Sequence, residues 1–234
     1  RKKGPDMIDP SARGLALFDL DHTLIPLDSD HGFGEWMCEL GWTDADGFRQ
    51  ANDQFYADYK AACLDLSAYV RFSTAPWRAR SREEQAWAVQ GFLDQVIRPR
   101  LHPQAQALVD HHRQQGDWLA IVTATNEFVS RPVAELFRPD EILAVNLCRD
   151  EAGNMTGEID GVPTYQAGKI TRVESWLSGL GRSLASFDRV SFYSDSPNDL
   201  PLLERVGDPV ATNPSPELEA IALERGWRIL KLFE

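Results

Sequence analysis

Cysteine is scarce in this chain of 234 residues, and the three present, Cys38, Cys63 and Cys148, are widely spaced with no CxxC pairing. A disulfide framework and a thiolate zinc site are both unexpected, and the three read as small buried residues. No apolar run approaches the roughly 20 residues that cross a bilayer, and the opening Arg1-Lys2-Lys3-Gly4-Pro5 is not followed by a signal-type stretch. A cytoplasmic protein without a membrane is the expectation. Whether residues 1–6 are native stays open. Basic residues are also in deficit, with a net charge of -12, which argues against nonspecific binding to nucleic acid or anionic lipid. Internal repeats and low-complexity tracts are absent.

What is present is an alternation of short apolar runs with helical periodicity. Leu15 to Leu20 reads as a buried strand that carries an acid and ends at Asp21-His22-Thr23. Further strands are expected at Trp118 to Val122, Glu141 to Asn146, Arg189 to Asp195 and Pro209 to Thr212, which complete the set. Helical spacing marks Glu127 to Phe137, Lys169 to Leu180 and Asp199 to Val206 between them. The pattern predicts an α/β fold, a parallel sheet with helices on both faces and its ligand site beyond the strands' carboxyl ends. The segment 28–100 breaks the alternation. Phe48, Ala51, Phe55, Tyr59 and Ala62 recur at helical spacing, as do Ala86, Val89, Leu93, Val96 and Ile97. It reads as an all-helical cap inserted into a core formed by 14–27 and 101–234. Leu147 to Gly161, centred on Asp150-Glu151-Ala152-Gly153-Asn154, reads as a hairpin.

Four places carry candidate chemistry. Asp19-Leu20-Asp21-His22-Thr23 sets two carboxylates two residues apart where uncompensated charge is costly, so a cation is the natural complement. One acid can attack an electrophile while the other moves a proton to or from the leaving group; equally, the pair could serve only turn or cap hydrogen bonds. Ser194-Asp195-Ser196-Pro197-Asn198-Asp199 adds oxygen ligands that suit a hard ion such as magnesium rather than zinc, or a plain helix-capping loop. Thr123 and the following Ala124-Thr125-Asn126 offer a hydroxyl and backbone amides to a phosphate, or an ordinary helix cap. Lys169 opens a helix, where a cation is locally unfavourable, and is the sole lysine between Ala61 and Leu230. Pairing with a carboxylate or a phosphate explains that placement better than a solvated surface does.

In this order, Asp19-Leu20-Asp21-His22-Thr23, Thr123, Lys169 and Asp195-Ser196-Pro197-Asn198-Asp199 resemble the signature elements of the haloacid dehalogenase-like (HAD) superfamily of phosphohydrolases. The resemblance spans Leu15 to Thr212 and implies a Rossmann-like core closed by a cap. It implies that Asp19 attacks phosphorus, that Asp21 protonates the leaving oxygen and then activates water, and that Thr123, Ala124 and Lys169 hold the phosphoryl oxygens. Magnesium would lie on Asp19, the backbone carbonyl of Asp21 and Asp195, with Asn198 and Asp199 in support. Dehalogenases need no proton donor equivalent to Asp21, so the pair of acids favours a phosphatase.

The insert length and the segment from Asn146 towards Lys169 resemble the phosphoserine phosphatase-like branch (subfamily IB), which includes enzymes acting on phosphoserine and some acting on histidinol phosphate. Asp28, nine positions after Asp19, stands where that branch places an acid for the substrate amine, although glutamate is usual there. Asp30 or His31 could contribute, and Arg71 is a cap candidate for a substrate carboxylate or a surface residue. A small phosphorylated metabolite, amino-bearing in preference, is the expected partner. A phosphotransferase of the same fold and a non-catalytic phosphate-binding module remain open alternatives, as does the oligomeric state.

Overall fold

A computed structural model describes residues 11–234; the question of residues 1–6 lies outside the described residues. Six parallel strands form the sheet in the order β3-β2-β1-β6-β7-β8. They are β1 (Gly14–Phe18), β2 (Trp118–Asn126), β3 (Glu141–Val145), β6 (Arg189–Ser194), β7 (Asp208–Thr212) and β8 (Arg228–Leu230), while β4 (Leu147–Arg149) and β5 (Met155–Ile159) make a separate antiparallel hairpin. The chain runs outward from β1 in both directions, so the reversal of strand order beside β1 opens a crevice at the carboxyl ends.

Because both faces of the sheet are covered, its central strands are largely apolar and their alternation serves two cores. Ala16, Phe18, Leu119, Ile121 and Tyr193 face one core; Leu15, Leu17, Trp118, Ala120, Val122 and Phe192 face the other. The second core is closed by α7 (Gly168–Gly179), α8 (Leu200–Leu203) and α9 (Pro216–Arg225) through Val173, Leu177, Leu202, Leu203, Leu218 and Ala222. The first is closed by α5 (Pro103–Gln114) and α6 (Glu127–Ala134), and by helices that lie between β1 and β2: α1 (Ser29–Glu39), α2 (Ala45–Lys60), α3 (Leu66–Arg78) and α4 (Arg82–Phe92). Their starts follow side-chain caps, with Asp28, Asp44, Asp65 and Ser81 each accepting a backbone N–H of the first turn. Trp77 of α3 stacks on Phe128 of α6 at 3.8 Å, and Phe33 of α1 meets Phe92 and Phe128 edge-on.

Several sequence expectations are corrected. The set of strands does not end at Thr212, because β8 adds a sixth; it has three residues, all exposed or half-buried, and so lacks an apolar run. The helix expected over Asp199 to Val206 is a 3-10 turn at Pro197–Asp199 followed by the short α8. Of the stripe expected over 86–97, Ala86 is exposed while Val89, Leu93, Val96 and Ile97 pack on the core with Ala88 and Phe92; α4 continues into a wider π turn at Leu93–Ile97. Of the cysteines, all free, only Cys38 is buried; Cys63 is exposed and Cys148 half-buried. Among the described residues, no helix is long and apolar enough to cross a membrane.

Candidate active site

Asp19 follows β1 directly, and its backbone N–H donates to the Tyr193 carbonyl at 2.9 Å, so the pairing of β1 with β6 extends to this residue and fixes it in the crevice. A tight turn comes next. The Leu20 carbonyl accepts from Leu24 at 2.8 Å and from Thr23 and Ile25 at longer range, and His22 takes a left-handed φ of 57°. Asn213, after β7, secures the turn by donating its Nδ2 to the carbonyls of His22 and Thr23, 3.1 Å each.

Lys169 lies in the first turn of α7, where Gly168 permits close approach: a Cβ there would fall 2.0 Å from the Pro163 carbonyl oxygen. The ammonium is 1 % exposed and sits 2.8 Å from Asp19 Oδ1 and 2.8 Å from Asp199 Oδ2. Burial by itself works against the Lys169 charge, but the two carboxylates outweigh it and raise its pKa. Ser194 Oγ also donates to Asp199 Oδ2, at 2.7 Å. Burial pushes Asp199 up to about 6 even though Lys169 pulls the other way. Thr23 Oγ1 lies 3.1 Å from Asp195 Oδ1 and 3.5 Å from Asp19 Oδ2, so the second oxygen of Asp19 is held only loosely.

Asp21 is anchored at both oxygens, accepting from the Ser29 backbone at 2.8 Å and from Thr125 Oγ1 at 2.7 Å. Burial first, then the negative charges of Asp28 and Asp19, raise it well above the ordinary carboxylate range. Asp195 is raised well above that range for the same reasons, burial and then Asp19 and Asp199. Thr123 is buried; its Oγ1 accepts the Thr125 N–H at 3.1 Å and its carbonyl accepts from Thr164. The cap of α6 is Asn126, whose side chain accepts from Phe128 and Val129, so Thr123 is not spent on that task.

Asp19, Asp21, Thr123, Ala124 and Asp195 therefore line one cleft, joined there by Asp28 and by the insert's Phe55, Tyr56, Tyr59 and Tyr69. Asn198 stands behind it and donates to the Tyr59 carbonyl at 2.9 Å, linking the loop of Asp195 and Asp199 to α2. Asp28 uses Oδ1 to cap α1 through the His31 N–H at 2.8 Å. Arg71 is not brought in; it is half-exposed and pairs with Glu158 of the hairpin at 3.3 Å. The sequence reading passed over Thr125 and Ser29 as the anchors of Asp21, and took Phe55 and Tyr59 as helix packing only. The Thr-Ala-Thr-Asn run that ends β2 is the available signal for Thr125.

The donor set fits a hard cation. Asp19, Asp21 and Asp195 present oxygen alone to the cleft, and the neighbouring Lys169 is already shared by two carboxylates. Among the described residues no three His, Cys, Asp or Glu side chains converge tightly enough to hold an ion, so such a site needs a backbone oxygen or water beside two carboxylates.

A family described as haloacid dehalogenase-like hydrolase matches residues 16–204. The chain is similar, at 42% identity over 93% of its length and 98% of the relative, to a protein of Neisseria meningitidis serogroup C (strain 8013) named histidinol-phosphatase. It is also 30% identical, over 92% of its length and 69% of the relative, to a phosphoserine phosphatase of Mycobacterium tuberculosis (strain ATCC 25618 / H37Rv). Among solved structures, a Bordetella pertussis Tohama I protein of unknown function is similar with a TM-score of 0.89 and 42% identity, over 95% of this chain and 100% of that one. A substrate-bound phosphoserine phosphatase shares the fold at a TM-score of 0.66 and 17% identity, over 92% and 91%.

Proposed function

Because the chain belongs to the haloacid dehalogenase-like hydrolase family and is a phosphatase of that fold, we propose that it hydrolyses the phosphomonoester of a small amino-bearing metabolite through an aspartyl-phosphate on Asp19. Phosphoserine and histidinol phosphate, which the names of two relatives carry, are the substrates in view. The observation that carries this reading is the clamp of Lys169 on Asp19 Oδ1, which aims the carboxylate and leaves Oδ2 for attack.

In this reading Asp19 Oδ2 forms a bond to phosphorus as the ester oxygen departs, and Asp21 gives that oxygen its proton. The resulting Asp21 carboxylate takes a proton from water, which attacks phosphorus, releases inorganic phosphate and restores Asp19. Thr123, Ala124 and Lys169 hold the phosphoryl oxygens, and the helices of 28–100 act as the cap. Asp19, the Asp21 carbonyl and Asp195 would hold magnesium, with Asn198 and Asp199 in support; when bound it supplies positive charge that lets a phosphate dianion approach an acidic cleft.

With magnesium, the protein is expected to hydrolyse a generic aryl phosphate, and Asp19→Asn is expected to lower that rate by at least about a thousandfold. Turnover that needs no magnesium, or full activity in the variant, overturns the proposal.

A further inference from the structure

The wall of the cleft beyond Asp21 bears on the leaving group. Asp30, in the first turn of α1, is 6% exposed. Its two oxygens accept from Asn126 Nδ2 at 3.1 and 3.3 Å, and the Tyr69 hydroxyl is its other partner. All of these donors are neutral. Asp28 stands close enough to add its own negative charge to the same wall. Phe55, Tyr56, Tyr59 and Tyr69 line the same cleft.

Cations are elsewhere. Lys169, assigned above to the phosphoryl group, pairs with Asp19 and Asp199 and does not line the cleft, and Arg71 turns to Glu158. Lys60 rests on the Tyr56 ring, 4.0 Å from its centre, without lining the cleft. His22, which does line it, bonds the Tyr56 hydroxyl at 2.9 Å. Among the described residues lining the cleft there is no arginine or lysine.

We infer that this wall selects a leaving group bearing an ammonium on an apolar or aromatic skeleton and rejects one that also bears a carboxylate. The inference rests on the phosphatase reading above and divides its two named substrates. An ammonium gains from the paired acids and from a cleft lined by aromatic side chains. A carboxylate in the same place is desolvated beside the acids Asp28 and Asp30, with no arginine or lysine lining the cleft to meet it. Phosphoserine carries that carboxylate; histidinol phosphate carries an amine and a ring without it.

The test compares kcat/KM of the magnesium-supplied protein on histidinol phosphate, phosphoethanolamine, phosphoserine and p-nitrophenyl phosphate. Phosphoethanolamine differs from phosphoserine only by the carboxylate and is expected to be the better substrate by at least about tenfold, with histidinol phosphate better still. Phosphoserine turned over as well as phosphoethanolamine overturns the inference while aryl phosphate turnover keeps the phosphatase reading intact. Turnover of none of the four removes the reading and the inference together. Asp30→Asn is expected to lower the ratio of histidinol phosphate to aryl phosphate turnover by at least about tenfold, a ratio that general damage to the fold does not move. An unchanged ratio takes Asp30 out of amine recognition.

Discussion

Two buried polar clusters flank the same sheet, and they are built on opposite terms. Around the cleft Lys169 pairs with Asp19 and Asp199 but with neither Asp21 nor Asp195, and burial together with repulsion from neighbouring acids raises Asp21, Asp195 and Asp199. Behind the sheet, against α5, a single carboxylate is fully served. Asp117 Oδ2 accepts from His112 Nδ1 at 2.7 Å and from Arg189 at 2.8 Å, and His112 Nε2 meets the Tyr193 hydroxyl at 2.8 Å. Burial lowers the His112 pKa despite the pull of Asp117, and a neutral ring protonated at Nδ1 would donate to the carboxylate and accept from the tyrosine hydroxyl at Nε2. Even the packing is closed: a Cβ at Gly14 would lie 1.8 Å from Asp117 Oδ1. Burial of charge is common to both clusters. Incomplete compensation belongs to the cleft alone, and that is the mark of a place waiting for a ligand.

The largest expected effect comes from removing the cleft's cation. Lys169→Met leaves two buried carboxylates facing each other and is expected to cost about 3–5 kcal/mol in urea unfolding without magnesium. A loss below about 1 kcal/mol would mean that protonation already neutralises the cluster, and the contrast with the rear cluster would fail. Next, His112→Leu strips partners from Asp117 and Tyr193 and is expected to cost about 2–4 kcal/mol, while turnover of the folded variant stays within about twofold of the parent. A tenfold loss of turnover with stability intact would give the rear cluster a role beyond holding α5.

The smallest effect is one of sign. Burial pushes Asp30 from its ordinary 3.8 to about 7, so between those values the folded chain binds a proton that the unfolded chain has released. Stability from this group therefore falls as pH rises across that window. Asp30→Asn escapes the penalty and is expected to gain about 1–3 kcal/mol at pH 8, shrinking to nothing near pH 4. Urea midpoints at both pH values decide it. Destabilisation at pH 8 would show Asp30 to be as well satisfied as Asp117.

The strands that deliver the site were legible because a parallel strand buried on both faces is an uninterrupted apolar run, and acids at its end stand out. Strand β8, short and half-exposed, has no such signature. Counting residues pointed to Asp28 for an amine, yet the more deeply buried acid is Asp30, whose partner Asn126 lies 96 positions away. No local pattern encodes that contact. Arg71 illustrates a related limit: it and Tyr69 are two residues apart on α3, hence on nearly opposite sides of the helix, and only packing decides that Tyr69 meets the cleft while Arg71 meets the hairpin.

The stack of Trp77 on Phe128 has a consequence for how substrate gets in and out. Phe33, Trp77 and Phe92 belong to the same apolar core as Phe18 and Ile121 of the sheet, so swinging all four helices aside would strip large aromatic surfaces bare. Traffic is cheaper through the half-buried stretch 55–69, where α2 gives way to α3. The gatekeepers are then the very side chains that judge the leaving group, and a change made to alter taste at this doorway alters the pace of passage with it.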